Sequence, residues 1–584
     1  MKSQPQLFAP RRDAALAVAT LALCLLAPAG TRADVEIKGL DEVLTGNVRA
    51  LLPMMASSCD SARWRIERLF RDADLKIGNA LQALGYYEPT IVKTLAWEED
   101  CWHASFEIEA GPPVVIRSSH IEVLGPGATD PALLPTVTQA PPAVGDVLNH
   151  GSYDNYKAAL LQRAINAGYF DAEYERSRVT VDRGARTADI ELRLQSGSKY
   201  VFGTVSFTEG IIRNRLLRGY SDIRPGEPYT ARSIGELYES LNGSGYFASV
   251  SISTDPVDTD AKAVPVNVEL TPAKRRLYTV GGGFTTDTGL QGRLGYTDRR
   301  INDKGHQMES KLFVSQVQSQ LNGTYRWPKS DPRHEWFSII GGAQHENTET
   351  STSDTLKVGI LRSRNRGNSW LETRYINFEY DNYEVADDKT TSQLLIFGNN
   401  WERDQGRTLS RALSGYRFNF DVRGASDALG SDTSFLQLQT RARWIHGLGQ
   451  KTRLLTRAAA ATTFKDELTE LPPSVRYFAG GDRSIRGYDY ESLGPVDSDG
   501  EVTGGSNLVE ASLELDYLFR EKWALALFAD TGSAFNSTDI ELSTGVGMGL
   551  RWYSPVGPIR VDFAHPLDDP DTNVRIHISL GPDF

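Results

Sequence analysis

Three cysteines, five methionines and nine scattered histidines in 584 residues leave little from which to build a redox or metal centre. There is no CxxC pair, no HExxH helix, no GxSxG elbow and no phosphate-cradling P-loop. The expectation is therefore a protein that is not an enzyme and that holds neither cofactor nor metal. Positive charge is also short: 63 basic against 75 acidic residues give −12 at pH 7, a poor balance for binding nucleic acid. Beyond the N-terminal region no run of 18 apolar residues occurs, which excludes a transmembrane helix but not a membrane-crossing sheet.

The N-terminus itself reads as a secretory signal peptide, expected over residues 1–33. Arg11 and Arg12 precede an apolar run from Ala14 to Leu26, and small-residue cleavage options follow at Ala27-Pro28-Ala29 or Thr31-Arg32-Ala33. Leu23 before Cys24 argues against lipidation, which needs a small residue there. Cleavage after Ala33 removes four basic residues and one acid, taking the net charge from −12 to −15. Cys59 and Cys101 then remain, and an even pair in an oxidising compartment favours a disulfide over two free thiols.

Three segments share a phrase: LQALGYYEPTI, RAINAGYFDAEY and ESLNGSGYFASVSI, whose glycines before tyrosine are Gly85, Gly168 and Gly245. Their spacing near 80 residues marks a repeated module. In the first copy Ile66, Leu69, Ala73, Ile77, Ala80 and Leu84 sit at helical spacing, and Gly85 lies where a helix would end in a left-handed cap. Each copy reads as strand, helical segment, Gly-Tyr-aromatic, strand, strand.

From about Pro272 helical spacing disappears and runs of about ten residues alternate. In FLQLQTRARWI, Leu436, Leu438, Thr440, Ala442 and Trp444 share one face, while Gln437, Gln439, Arg441 and Arg443 share the other. An apolar outside and a polar inside suit a membrane β-barrel, where lipid replaces the core. The last run, NVRIHISLGPDF, puts Val574, Ile576, Ile578, Leu580 and Phe584 on one face, with Pro582 departing from that apolar set. Turn signals such as Asn302-Asp303-Lys304-Gly305 divide the region into about sixteen strands, an even number that closes without edges.

Between the eleventh and twelfth runs lies FAGGDRSIRGYDYESLGP, Phe478 to Pro495. A glycine-rich tract cradles phosphate only ahead of a helix N-terminus, and YDYESLGPVDSDG is turn-rich instead. The plain alternative is a solvated outer loop. Alternation on the neighbouring runs turns Glu510, Ser512, Glu514 and Asp516 to one face, and Phe528 and Asp530 inward. An arginine between low-dielectric walls needs a carboxylate, which its planar fork accepts bidentately. The family resemblance set out below turns this loop inward and implies that Arg486 pairs with carboxylates of the inner wall, which the alternation identifies as Asp530 and Glu514, against the alternative that these acids are a generic polar lining. Gly480, Gly481 and Gly487 would let the backbone turn tightly beside Tyr488.

The first and last runs of the barrel carry Gly281, Gly282 and Gly283, and Gly581 and Pro582 just before Phe584. Glycine weakens a strand and proline removes a ladder donor, so a seam that pairs poorly is expected. The alternative is that the three glycines relieve crowding at the lumen.

These motifs carry a family resemblance. The repeated unit, over about Asp34 to Thr271, resembles the POTRA (polypeptide-transport-associated) domain. GGDRSIRGY resembles the (V/I)RG(Y/F) loop of the BamA/TamA-like outer-membrane insertases and their two-partner secretion relatives. FADTGSAF resembles their F-x-D-x-G strand, and GVGMGLRWYSPVGPIRVDFAHPL their penultimate hairpin. The resemblance implies a mixed fold: three tandem α+β POTRA modules at 34–113, 114–197 and 198–272, then a 16-stranded antiparallel transmembrane β-barrel at 273–584. It places the chain in the outer membrane of a Gram-negative bacterium with its modules in the periplasm, and turns the 478–495 loop into the lumen. Three modules and this length point to the TamA-type branch rather than the five-module BamA type. That branch implies assembly or secretion of autotransporters and other unfolded outer-membrane β-proteins through strand exchange at a weak seam in the lipid. It also implies an inner-membrane-anchored TamB-like partner reached through the first POTRA module. A two-partner secretion pore for one exoprotein, and a passive channel or receptor, are the competing expectations.

Overall fold

A computed structural model describes residues 33–580, apart from 99–100, 136–139, 209, 256, 349–350, 368, 386–387, 407–410, 466–470, 499, 537–539, 555–556 and 570–572. The leader with Cys24, and Gly581, Pro582 and Phe584, lie outside the described residues.

The first repeat comprises β1 (Asp34–Lys38), α1 (Glu42–Leu51), α2 (Arg63–Arg71), α3 (Ala73–Ala83), β2 (Thr90–Glu98) and β3 (Cys101–Glu109). The second comprises β4 (Val115–Leu124), α4 (His150–Asn166), β5 (Glu173–Asp182) and β6 (Thr187–Gln195). The third comprises β7 (Val201–Phe207), α5 (Asn214–Arg218), α6 (Ala231–Gly243), β8 (Phe247–Ser253) and β9 (Ala263–Pro272). Each has one three-stranded sheet with the last strand in the middle, in the orders β1-β3-β2, β4-β6-β5 and β7-β9-β8. The opening strands β1 and β4 run parallel to β3 and β6, which requires a crossover, and the helices supply it.

The helical spacing from Ile66 to Leu84 breaks at Asp72 into α2 and α3, which bury Ile66, Ala73, Ile77, Ala80 and Leu81 against Trp102, Phe106 and Ile108 of β3. Helix α1 was not legible in the sequence, because EVLTGNVRAL buries only Leu44 and Val48; Asp41 starts it by accepting the Leu44 N–H at 2.8 Å. Cys59 and Cys101 form a disulfide spanning 42 residues, beside the Trp102 indole, which donates to the Ser58 carbonyl at 3.0 Å. Replacing both cysteines by serine should lower the stability of this module by about 2–4 kcal/mol, seen as an earlier thermal transition of the full chain that matches the reduced wild type.

The Gly-Tyr phrase is more than a helix end. Gly85 and Gly168 do adopt left-handed φ of +92° and +96°. Each also abuts the next repeat: a Cβ on Gly85 would lie 2.4 Å from the Leu148 carbonyl, and one on Gly168 would lie 2.9 Å from that of Tyr229. The carbonyls of Gly85 and Gly168 accept from Val114 and Tyr200. The repeated motif is thus a joint between modules.

Sixteen further strands close into a barrel: β10 (Arg276–Thr285), β11 (Gly289–Asp298), β12 (Gln307–Val314), β13 (Gln318–Pro328), β14 (Glu335–Asn347), β15 (Ser351–Asn365), β16 (Trp370–Val385), β17 (Asp388–Asp404), β18 (Gly415–Ala425), β19 (Phe435–Gly447), β20 (Thr452–Phe464), β21 (Asn507–Arg520), β22 (Trp523–Phe535), β23 (Ser543–Ser554), β24 (Gly557–Pro566) and β25 (Arg575–Leu580). Alternation sorts the wall as the sequence suggests: Leu436 and Trp444 face outward at 46% and 48% exposure, while Gln437 between them is fully buried inside. Residues 203–225, 233–256 and 265–584 form one compact unit. Within it Arg213 pairs with Asp303 at 2.5 Å, and Arg333 with Asp222 at 2.6 Å. Asp303 lies in the β11–β12 turn and Arg333 in the β13–β14 turn, so the third repeat docks on the turns at one end of the barrel. The 465–506 segment between β20 and β21, the eleventh and twelfth barrel strands, therefore leaves from the opposite end.

Candidate functional site: the lumen loop and the seam

The 478–495 loop turns into the barrel. Its apolar residues make this possible: Ala479, Ile485 and Tyr488 are buried against Ala461, Leu508 and Ala534 of the wall. Gly480, Gly481 and Gly487 all take φ near +100°, a conformation strained for any other residue. The Tyr488 hydroxyl donates to the Thr544 carbonyl at 3.3 Å.

Arg486, 4% exposed, meets the wall as a fork. Its Nε and Nη2 donate to the two Asp530 oxygens at 2.6 and 2.9 Å, and its backbone N–H adds a third bond at 3.2 Å. Nη1 donates to Glu514 at 2.8 Å and to Asp562 at 3.2 Å. The guanidinium lies 3.4 Å above the Phe528 ring. Arg551 bonds Glu514 at 3.1 Å and Asp562 at 2.5 Å, and Arg457 reaches Asp530 at 3.6 Å. Three guanidiniums thus interleave with three carboxylates; Arg486, Arg551, Asp530 and Asp562 are buried and Arg457 and Glu514 half-buried, so each charge is compensated where an isolated one would be costly.

Register explains why these groups converge. Glu514 lies opposite Phe528, and Phe528 opposite Gly547; one step along, Asp530 lies opposite Gly545. Asp562 faces Gly549. The alternating glycines of TGVGMGL therefore floor the lumen beside the acids. A Cβ on Gly545 would lie in hard overlap with the Arg486 carbonyl, and one on Gly547 would press on the Phe528 ring. Gly545→Val is expected to push the loop off the wall at a cost of about 1–3 kcal/mol or more, read as a lower urea midpoint for the folded barrel.

The structure places Asp530 and Glu514 beside Arg486, and with them Asp562, Arg551 and Arg457, which the sequence reading did not name. The signal was present, since IRVDFAHP alternates and turns Asp562 inward with Ala564. The sequence reading also missed the loop's second anchor. Asp482 accepts from the Thr286 hydroxyl at 2.8 Å, just after β10, and sits 2.6 Å from Nδ1 of His577 on β25. The Gly487 N–H contacts Nε2 of the same ring at 2.9 Å, and Arg575 of β25 pairs with Asp489. One loop residue thereby ties both closing strands.

Among the described residues Thr285 of β10 lies opposite Ser579 of β25, with bonds between Thr286 and Ile578. A Cβ at Gly281, Gly282 or Gly283 would meet nothing nearer than 3.5 Å, so these glycines do not relieve crowding. Gly581, Pro582 and Phe584, the other half of the expected seam, lie outside the described residues.

Asp287, in the outer turn between β10 and β11, accepts the Asp482 N–H at 2.7 Å. With Asp482 and His577 it brings three donor atoms within 4.8 Å of one another, fewer than a structural ion takes, and the grouping is accounted for by its hydrogen bonds. Burial, and then the neighbouring Asp482 charge, push the Asp287 carboxyl up to about 7 from 3.8. Because the folded value is the higher one, this contribution to docking is full below about pH 4 and is lost as pH rises through about 7. Protease cleavage within 478–495 should therefore increase from pH 5 to pH 8, and Asp287→Asn should flatten that dependence.

Comparison with known proteins agrees with this architecture. Residues 241–584 match the Omp85 superfamily domain, and residues 34–110 match the POTRA domain described as TamA domain 1. Outer membrane protein assembly factor BamA of Nitratidesulfovibrio vulgaris is 22% identical over 388 residues, covering 62% of this chain and 48% of that protein. BamA of Neisseria meningitidis serogroup B is 21% identical over 506 residues, covering 74% and 63%. The chain thus spans about half to two thirds of the length of these curated relatives. The crystal structure of Haemophilus ducreyi BamA lacking POTRA domains 1–3 shares the fold with a TM-score of 0.66 at 16% identity, covering 80% of this chain and 99% of that one. With more than half its length matched by the superfamily domain, behind POTRA modules that face the periplasm, this outer-membrane β-barrel belongs to the Omp85 superfamily.

Proposed function

We propose that the protein inserts or translocates outer-membrane β-proteins by opening its barrel between β10 and β25, offering the freed edge to an incoming strand. The observation that carries this reading is the lumen loop, which holds both closing strands through one residue: Asp482 accepts from Thr286 just after β10 and contacts His577 on β25. An exposed edge recruits an extended chain by backbone hydrogen bonds, so a substrate needs only apolar alternation to be accepted. Its burial in lipid drives the exchange, with no nucleotide or metal required.

The finer form of the proposal is a TamA-type role in assembling autotransporters and other outer-membrane β-barrels, with an inner-membrane-anchored TamB-like partner at the first POTRA module. The match of residues 34–110 supports it. Depletion of the chain followed by quantitative proteomics of the outer membrane tests it: β-barrel proteins and autotransporters should fall together. Loss of a single exoprotein from the medium, with the barrel proteins unchanged, would instead support the two-partner secretion reading.

A further inference from the structure

On β15, Leu356, Val358 and Ile360 point outward to lipid with 57–59% exposure, and alternation continues that face to Arg362 and Arg364. On β16, Ile376 and Phe378 point outward, and the same face continues to Arg374 and Glu372. The register sets Arg362 opposite Arg374 and Arg364 opposite Glu372. Strand β15 is the sixth of the barrel and runs toward the end where the third repeat docks, so this group lies on the outer wall at the periplasmic rim, directly below the apolar band. Arg366, from the turn, completes a single pocket lined by these four arginines and Glu372.

The charges there do not cancel. Glu372, 4% exposed, accepts from Arg366 at 2.5 Å and from Arg374 at 2.9 and 3.0 Å. Arg362 donates to Glu335 at 2.7 Å. Arg364 is exposed and has no ion-pair partner among the described residues. Four guanidiniums therefore meet two carboxylates, and Glu372 holds two of the forks in place while that of Arg364 stays open. Trp370 and Trp401 lie on the same outward face, the latter opposite Glu372, and Trp401 stacks on Phe420 with ring centroids 5.6 Å apart. Indole rings favour the depth at which headgroups begin.

We propose that this pocket binds the phosphate of an anionic phospholipid in the inner leaflet of the outer membrane. Arginine forks match phosphate oxygens in pairs, and basic pockets on a membrane wall concentrate anionic headgroups. The apolar band above receives the acyl chains, which separates a lipid from a free anion.

The test uses the full chain in detergent, with phosphatidylglycerol, phosphatidylcholine and inorganic phosphate as probes read by native mass spectrometry. Phosphatidylglycerol should be retained in preference to phosphatidylcholine, and inorganic phosphate at equal concentration should not displace it. Arg364→Gln should weaken phosphatidylglycerol retention about five-fold and leave phosphatidylcholine unchanged. That variant breaks no ion pair among the described residues and should keep the heat-modifiable folded band; the preference of the unaltered protein is read independently of it. Equal retention of the two lipids, retention unaffected by Arg364→Gln in the folded protein, or displacement by inorganic phosphate would each overturn the assignment.

Discussion

Arg486→Ala should leave the barrel in the membrane but release the loop from its wall, at a cost of about 3–5 kcal/mol. The size follows from the charge count. Asp530, fully buried, would lose both fork contacts, the shorter at 2.6 Å, and keep Arg457 at 3.6 Å as its one guanidinium among the described residues. Arg486→Lys should not rescue, because a point charge cannot span the two Asp530 oxygens and Glu514 at once. The measurements are the urea midpoint of the heat-modifiable folded form and protease cleavage within 478–495. Combining Arg486→Ala with Asp530→Ala should give less than the sum of the single effects, by about 0.5–3 kcal/mol. Simple additivity would mean that the two do not form an energetic pair.

The largest functional effect is expected from closing the seam covalently. Cysteines at Thr285 and Ser579, the described register pair between β10 and β25, should oxidise to a cross-link. Insertion of a β-barrel substrate into liposomes carrying the purified protein should then fall to background, and a reductant should restore it. Thr285→Cys alone is the control, since that hydroxyl also bonds Thr288 and Gln291 inside the lumen. Undiminished insertion by the cross-linked protein would remove the seam from the mechanism and leave the lumen as the route. An intermediate role for the loop is distinguishable: Asp482→Ala removes the tie to Thr286 and His577 without locking anything, and should loosen the seam.

The barrel was legible because its rule is local. Lipid on one side and a polar lumen on the other impose a period of two, so Leu513, Leu515, Leu525 and Leu527 could be assigned outward, and Glu514 and Asp530 inward, from their neighbours alone. The repeated Gly-Tyr phrase was legible for the same reason, although its role as a joint was not, since the contacts of Gly85 with Leu148 cross 63 residues. Helix α1 was hidden because its stability comes from two buried side chains and a cap rather than from a long apolar stripe.

By itself, then, the sequence determined which residues face inward and where the chain turns, and the resemblance of its loop implied that Arg486 would meet Asp530 and Glu514. Tertiary structure decided how the acids meet it, and added Asp562. Asp530, Glu514 and Asp562 sit on three different strands, and only the hydrogen-bonded register between strands brings them within reach of one guanidinium. It likewise decided that Asp482 would hold His577, 95 residues away, because closing a sheet into a barrel makes the first and last strands neighbours of a loop that is local to neither. Alternation is a property of one strand; register and closure belong to the whole wall.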